Sequence, residues 1–366
     1  MGVIEKSKNP RGWNSPILCV PKHDKTVRIC VNFKNTLNLK LCNDSDKYTL
    51  PVTDVLFQEI GTENNFFASL DLAKGYWQIG IKPEDRFKTS FTYENETYCF
   101  TRLPFGLKNA GDSFCRAINS VFNQMQNLNN VKSYVDDVLV HATTFEQYFK
   151  TLEDILKLLR AHELRLNAKK CKFLTPEVKF LGRILNKSGY TADPVNVQAV
   201  KDLSPPKNLK QLQCAIGRFV WLREFISCNI GEEVANFAFS HILKELTKLN
   251  KKSKKFDWPN SAQSAFDLVK SRLSSDKIIY FADFSQRFCL VTDASNFDVA
   301  GILMRLIDGK QRIIATVSKT LSETEQIWSA GERECYAILF SVEKLDYFLK
   351  GPQSFVILTD HKALTF

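Results

Sequence analysis

Tyr134-Val135-Asp136-Asp137-Val138-Leu139-Val140 sets two adjacent aspartates between two β-type runs. The pattern predicts a hairpin with the acidic pair at its turn. Aspartate suits turns for backbone reasons, so the pair alone says little about chemistry. A second stretch shifts the balance. In Phe66-Phe67-Ala68-Ser69-Leu70-Asp71-Leu72 a carboxylate lies near the end of an apolar β-type run, where no turn preference explains it. A charge in such a strand is costly unless it is paired or binds metal. Nucleotidyl transfer uses two Mg²⁺ ions about 3.5–4 Å apart, which clamp the attacking and leaving oxygens. Mg²⁺ takes hard oxygen ligands and keeps some of its waters, so two or three carboxylates on adjacent strands suffice.

The rest of the chain frames this pair of segments. Its 366 residues are enough for two or three domains. Apolar residues make up 44% and charged residues 25%, the balance of a globular protein able to bury several cores. The formal net charge of +10 favours a polyanionic partner. The start, Met1-Gly2-Val3-Ile4-Glu5-Lys6, has no apolar signal-peptide core, and Lys6 stands where a myristoylation signal wants a hydroxyl. No apolar run approaches the roughly 18 residues of a spanning helix, so no membrane role is expected. The 10 cysteines form no CxxC pair and no Cys/His cluster with zinc spacing, so reduced thiols packed as small hydrophobes are expected.

Along the chain, Thr143 and Glu146 read as a capping box for a helix with Phe149, Leu152, Ile155, Leu156 and Leu159 as its apolar stripe. Pro205-Pro206 breaks the chain ahead of a helix from Lys207 carrying Leu212, Ile216, Phe219 and Trp221. The run Lys251–Lys255 marks another break. Phe288 to Arg305 reads as a hairpin turning near Ser295-Asn296. Ser329 and Glu332 form a capping box for a helix with Ile338, Leu339, Val342, Leu345 and Phe348, ended by Gly351-Pro352. A short strand from Phe355 to Thr359 then leads to Asp360.

These blocks carry a family resemblance. Tyr134-Val135-Asp136-Asp137 resembles the Tyr-x-Asp-Asp box of reverse transcriptases, and Phe67 to Ile79 resembles the first catalytic block of gypsy-type LTR retrotransposon polymerases. Between them, Leu103-Pro104-Phe105-Gly106-Leu107-Lys108-Asn109-Ala110 is similar to the block that shapes the nucleotide pocket. Ser15-Pro16 to Lys22 and Arg28 to Phe33 resemble the fingers. Leu166-Asn167, Lys170 to Phe173 and Phe180-Leu181-Gly182 resemble the end of the palm and the primer grip. The match is collinear over nearly the whole chain. It departs after Ala110, where a Pro and a Thr-Phe-Gln run are replaced by Gly111-Asp112-Ser113-Phe114-Cys115-Arg116.

The resemblance implies that Asp71 and Asp136 bind both metals and Asp137 assists. Lys22 and Arg28 would contact the triphosphate of the incoming nucleotide. Tyr76 would exclude a ribose 2′-hydroxyl, and Phe105 and Gly106 would line the pocket. Phe180, Leu181 and Gly182 would form the primer grip. Lys207, Lys210, Arg218 and Arg223 are the basic residues placed to grip template–primer phosphates. Farther on, Val291 to Ser295, Glu332 to Ala337 and Leu358 to His361 resemble an RNase H domain, with Asp293, Glu334 and Asp360 as metal ligands. Glu332 competes with Glu334, but its capping box gives it a structural role.

The expected fold is α+β, a right-hand polymerase of fingers and palm (1–204), thumb (205–255) and connection (256–284), followed by a truncated RNase H-like α/β domain (285–366). The expected activity is addition of dNTPs to a primer 3′-hydroxyl on an RNA or DNA template, with two Mg²⁺ ions, Mn²⁺ substituting. RNA template, DNA primer, RNA–DNA hybrid and dNTPs are the expected partners, in the cytoplasm or in virus-like particles, with the oligomeric state open. Because the sequence stops six residues after Asp360, little RNase H activity is expected, with Ile338, Val342 and Leu345 under-buried. The rivals are a non-catalytic nucleic-acid-binding remnant of a retrotransposon and an RNA-dependent RNA polymerase. Primer extension on poly(rA), with dNTPs and then NTPs, separates the three.

Overall fold

The computed structural model describes residues 2–7, 12–21, 27–40, 48–125, 128–226, 239–249, 256–351 and 353–365. It divides into two compact units, Met1–Leu56 with Asn65–Pro176, and Phe57–Asn64 with Glu177–Phe366. Lys22, the Lys251–Lys255 run and Pro352 lie outside the described residues.

The first unit is organised by a four-stranded antiparallel sheet. Its strand order is Val131–Tyr134, Asp137–Ala142, Phe66–Asp71, Lys172–Thr175. Val138 through Ala142 are all buried, as are Phe67, Ala68 and Leu70. Consecutive burial of this kind means both sheet faces are covered. Each large apolar side chain so buried contributes about 1.5–3 kcal/mol. The helices Ala110–Phe122 and Phe145–Ala161 supply Phe114, Ile118, Phe122, Tyr148, Ile155 and Leu159 to the same core. A three-stranded sheet (Ile4–Lys6, Glu96–Phe100, Phe91–Tyr93) and the hairpin Ile17–Pro21/Val27–Val31 complete the unit.

Two sequence expectations about the second helix change. The N-cap is Thr144, whose hydroxyl accepts the Gln147 N–H at 3.3 Å, while the Thr143 hydroxyl donates to Gln147 Oε1 at 2.8 Å. The cap and its partner are therefore one residue later than the Thr143/Glu146 box. The buried stripe is Tyr148, Thr151, Ile155 and Leu159. Phe149 and Leu156 are 57% and 42% exposed, because each sits about 100° around the helix from the stripe residue before it.

The second unit opens with an antiparallel sheet in the order Glu177–Phe180, Arg183–Asn186, Gly189–Ala192, Ile279–Tyr280. The helix expected from Lys207 is capped by Asn208 and runs Leu209–Trp221, burying Leu212, Ala215 and Phe219. Trp221 is largely exposed, and Arg223 belongs to the next short helix, Arg223–Ile226. The C-terminal sheet has the order Lys310–Thr320, Asp298–Ile307, Cys289–Ala294, Val356–Leu358, with the last pair parallel. Its first hairpin turns over Ser295–Asp298 as expected, with Ala294 opposite Val299. The helix Ala330–Lys344 starts on the Ser329/Glu332 capping box, both of whose hydrogen bonds are present.

The expectation of under-buried Ile338, Val342 and Leu345 fails for Val342 and Leu345. Leu345 is 2% exposed in a core with Leu290, Leu303 and Phe348, and Val342 packs against that core. The apolar residues left exposed include Leu339, Val356 and Leu358. The helix turns Val342 and the following Leu345 onto that core and Leu339 outward, with Ile338 half-buried. Among the described residues, no helix is long and apolar enough to cross a membrane.

Candidate active site

Antiparallel pairing brings the first acidic group together. Asp71, the last residue of its strand, stands directly opposite Asp137. Asp137 in turn pairs with Tyr134, so the connecting turn is the two residues Val135 and Asp136. The acidic pair is therefore split: Asp136 is in the turn and Asp137 begins the returning strand. Val135 sits at φ 55°, a left-handed conformation that costs a β-branched residue on the order of 1–3 kcal/mol and is concentrated at functional sites. The Asp136 carbonyl accepts the Leu72 N–H at 3.2 Å, tying the turn to the Asp71 strand.

The charges answer one another. Burial pushes the Asp137 carboxyl above its usual range, and the negative charges of Asp136 and Asp71 push it further, with Lys170 opposing them. Lys170 Nζ lies 3.2 Å from Asp71 Oδ2. Asn167 N–H donates to the Asp71 carbonyl at 2.8 Å, so the segment bearing Lys170 is fixed to the same strand end. Hard oxygen donors gathered so that two of them raise the proton affinity of Asp137 fit a divalent cation. The sequence did not single out Lys170 for this role. It is one of four closely spaced lysines and arginines after Leu164, and only the register shows which one reaches Asp71.

Tyr76 lies on the 3₁₀ turn Gly75–Gln78 that follows. Its ring packs on Phe105 (centroids 5.2 Å apart) and edge-on to Phe114 (5.3 Å). Burial raises its phenol pKa, helped by Cys115, Asp136 and Asp112. In the stretch where the chain departs from the family pattern, Phe114 thus packs on Tyr76, Asp112 and Cys115 act on it electrostatically, and a Cβ on Gly111 would lie 3.7 Å from the Tyr76 hydroxyl. Gly106 has φ 97°, and a Cβ there would come 2.9 Å from the Val31 carbonyl. This is a reason for glycine independent of any ligand. Arg28 is on the strand Val27–Val31.

In the second unit, Phe180 is 2% exposed and packs on Phe57 within the core. Leu181 and Gly182, at φ 46° and 72°, make the two-residue turn to Arg183. A Cβ on Gly182 would lie 3.3 Å from the Trp221 ring. Sequence reading missed Arg183. Its guanidinium lies 5.0 Å from the Trp221 ring and 4.8 Å from that of Phe225, and it pairs with the buried Glu224 at 3.6 Å. Lys207, Lys210 and Arg218 line one cleft of about 410 Å³, whereas Arg223 is not part of that lining.

The second acidic group needs helix-to-sheet packing. Asp293 on the central strand, Glu334 on the helix and Asp360 after the last strand each place an oxygen within 4.8 Å of the others. Among the described residues this is the only such group. Glu334 is buried, its Oε1 accepts the Ala294 N–H at 3.0 Å, and its Oε2 has no partner. Burial, then Asp293 and Asp360, drive its pKa up to about 7 against the pull of the Ala294 bond. An orphaned, buried carboxylate oxygen facing two more carboxylates fits a bound cation. Glu332 is instead held in its capping box by Ser329.

Comparison with known proteins agrees with this architecture. A family model described as reverse transcriptase (RNA-dependent DNA polymerase) matches residues 20–185, and one for the RNase H-like domain found in reverse transcriptase matches residues 258–357. The chain is 33% identical to the retrovirus-related Pol polyprotein from transposon opus of Drosophila melanogaster, over 100% of this chain and 36% of that protein. It is 31% identical to that of transposon gypsy from the same organism, over 100% and 35%. The chain therefore spans about a third of the length of these curated relatives. Among solved structures it resembles the foamy viral protease-reverse transcriptase in complex with dsDNA, with a TM-score of 0.82 at 23% identity, covering 99% of this chain and 72% of that one. The same protein in complex with RNA/DNA hybrid gives 0.74 at 23% identity, covering 97% and 46%. The fold class is α+β, a polymerase fold with an RNase H-like α/β domain behind it. The chain carries a segment that matches the reverse transcriptase family at residues 20–185 and one that matches the RNase H-like domain found in reverse transcriptase at 258–357.

Proposed function

We propose that this chain is an RNA-directed DNA polymerase that adds dNTPs to a primer 3′-hydroxyl on an RNA or DNA template. The observation that carries this reading is the placement of Asp71 opposite Asp137 with Asp136 on the adjoining turn, inside the segment that matches the reverse transcriptase family. Asp71, Asp136 and Asp137 would hold Mg²⁺, or Mn²⁺ in its place. Bound there, the ions supply charge stabilisation for in-line displacement at the α-phosphate.

The chain's own residues position the reactants. Tyr76, braced by Phe105 and Phe114, presents a fixed aromatic wall to the sugar, where bulk discriminates against a 2′-hydroxyl. Lys22 and Arg28 are proposed to take the triphosphate. The Leu181–Gly182 turn, backed by Trp221, would hold the primer end, with Phe180 as its core anchor. Lys207, Lys210 and Arg218 on one helix-side cleft, with Arg223 nearby in sequence, would contact phosphates without reading bases. RNA–DNA hybrid and duplex DNA are the proposed nucleic-acid partners, in keeping with the complexes of the structural relatives. Asp293, Glu334 and Asp360 are the proposed cation site of the RNase H-like domain.

The test is extension of an oligo(dT) primer on poly(rA) by purified protein with dTTP and Mg²⁺. Extension that requires the divalent ion is expected. Tight hybrid binding with no extension in Mg²⁺ or Mn²⁺ would overturn the catalytic reading.

A further inference from the structure

Beside the 3₁₀ turn Gly75–Gln78, within the first unit, is a cleft of about 940 Å³ lined in part by Trp77 and Gln78. That volume is at the upper end of the ~300–1,000 Å³ typical of small-ligand sites. Its wall includes Trp77, and its rim carries Arg102, Arg160 and Arg165 against a single carboxylate, Glu163. Arg102 spends one donor on the Gln78 carbonyl (Nη1, 3.1 Å), leaving the rest of its guanidinium fork available. The side chains of Arg160 and Arg165 make no hydrogen bond or ion pair among the described residues. The indole Nε1 of Trp77 is buried without a partner. Two unpaired guanidiniums and the free part of a third, around one cleft, are donors without acceptors.

We propose that this cleft is a phosphate-binding site, distinct from the carboxylate site, that takes an oligophosphate chain. Guanidinium forks match phosphate oxygens in geometry, and three of them facing one carboxylate leave a positive surplus suited to a multiply charged anion. The cleft is also wired to the Asp71 segment. Gln78 donates to the carbonyls of Ala73 (2.8 Å) and Arg165 (3.0 Å) and accepts the Arg165 N–H at 2.7 Å. The Arg165 carbonyl takes the Ala73 N–H at 2.8 Å as well. An anion held by Arg165 therefore steadies the backbone two residues beyond Asp71. The phosphate could belong to a free oligophosphate or to a nucleic-acid backbone, and the two probes below separate those sources. The site does not depend on the polymerase reading, since binding is measured without dNTP or primer.

The experiment is calorimetric titration of the full chain with sodium tripolyphosphate and, separately, with a short single-stranded RNA, for wild type, Arg160→Glu and Arg165→Glu. Both arginines are exposed, and Arg160→Gln and Arg165→Gln serve if a charge reversal impairs folding, checked by circular dichroism melting. Saturable tripolyphosphate binding that weakens about tenfold or more in each variant, and with added salt, is expected. An equal loss for RNA adds the backbone as a natural source, and RNA binding that the variants leave intact assigns the site to free oligophosphates. No saturable tripolyphosphate binding to wild type, or binding that both variants leave unchanged, would overturn the proposal.

Discussion

The two acidic groups hold three carboxylates each but are made by different means. Asp71, Asp136 and Asp137 are set by strand register alone: one hairpin, one neighbouring strand and a two-residue turn. They remain open enough for Lys170 to reach Asp71 from outside. Asp293, Glu334 and Asp360 come from two strand ends and a helix, and their oxygens gather within 4.8 Å. There the buried Glu334 has its pKa driven up to about 7, and among the described residues no cationic side chain pairs with it in the way Lys170 pairs with Asp71. A site built on register tolerates like charges by spreading them and adding a counter-charge. A site built on packing concentrates them and must protonate or bind a cation.

The largest test of this contrast is on the first group. Asp136→Asn should lower nucleotide addition on the order of 10³-fold or more, since a preorganised charge at the reacting centre is lost. Hybrid affinity should change little, because it rests on basic residues elsewhere. Steady-state extension and filter binding, run side by side, measure both. Near-normal extension at millimolar Mg²⁺ would remove Asp136 from the site.

Next comes Glu334. Its folded pKa, about 7, exceeds the value of about 4.5 expected in the unfolded chain, so the folded state binds the extra proton. Stability should therefore fall as pH rises from about 4.5 to about 7 and level off above. Glu334→Gln removes this dependence and should stabilise the metal-free protein at pH 8 by on the order of 2–3 kcal/mol, with little effect at pH 4.5. Added Mg²⁺ should raise the melting temperature of wild type by more than that of the variant, which keeps only the site at Asp71, Asp136 and Asp137. Melting curves in EDTA and in Mg²⁺ at both pH values decide it; a variant advantage equal at the two pH values would show that the carboxylates are not coupled as described.

Tyr76→Ala should raise ribonucleotide incorporation about tenfold to a hundredfold, the scale of a steric change in one pocket wall. The readout is the dNTP/NTP ratio of kcat/KM. An unchanged ratio would leave Tyr76 as a core aromatic against Phe105 and Phe114.

The smallest effect sharpens the choice between neighbours on one helix. Glu332→Ala should cost about 1 kcal/mol through loss of the capping box, with Mg²⁺-dependent stabilisation retained. A Mg²⁺ response in this variant reduced as far as in Glu334→Gln would move the ligand role from Glu334 to Glu332.

Several features were legible because they are local. The hairpin around Ser295, the Ser329/Glu332 box and the strand character on both sides of Asp136 follow from alternation, turn chemistry and capping spacing over a few residues. Where sequence reading slipped, competing local choices were nearly equal. Thr143 and Thr144 both precede the helix, and the backbone entry angle selects Thr144 as the cap. Phe149 and Leu156 fit a helical stripe as well as Tyr148 and Thr151 do, but the sheet beneath buries the latter. Leu345, expected to be left bare, is covered by Leu290 and Leu303 from strands distant in sequence.

By itself the sequence singled out the candidate carboxylates and the kind of element on which each lies, because a charge in an apolar strand or near a capped helix start is conspicuous within one short window. It also carried the order of blocks from which the family could be read. Only the tertiary structure decided that Asp137 rather than Asp136 stands opposite Asp71, that Lys170 supplies the counter-charge, that Arg183 stacks between Trp221 and Phe225, and that Glu334 turns inward to meet Asp293 and Asp360. Those facts depend on strand register and on helix rotation against a sheet. Both are set by the summed burial of many side chains far apart in the chain, which no single window contains.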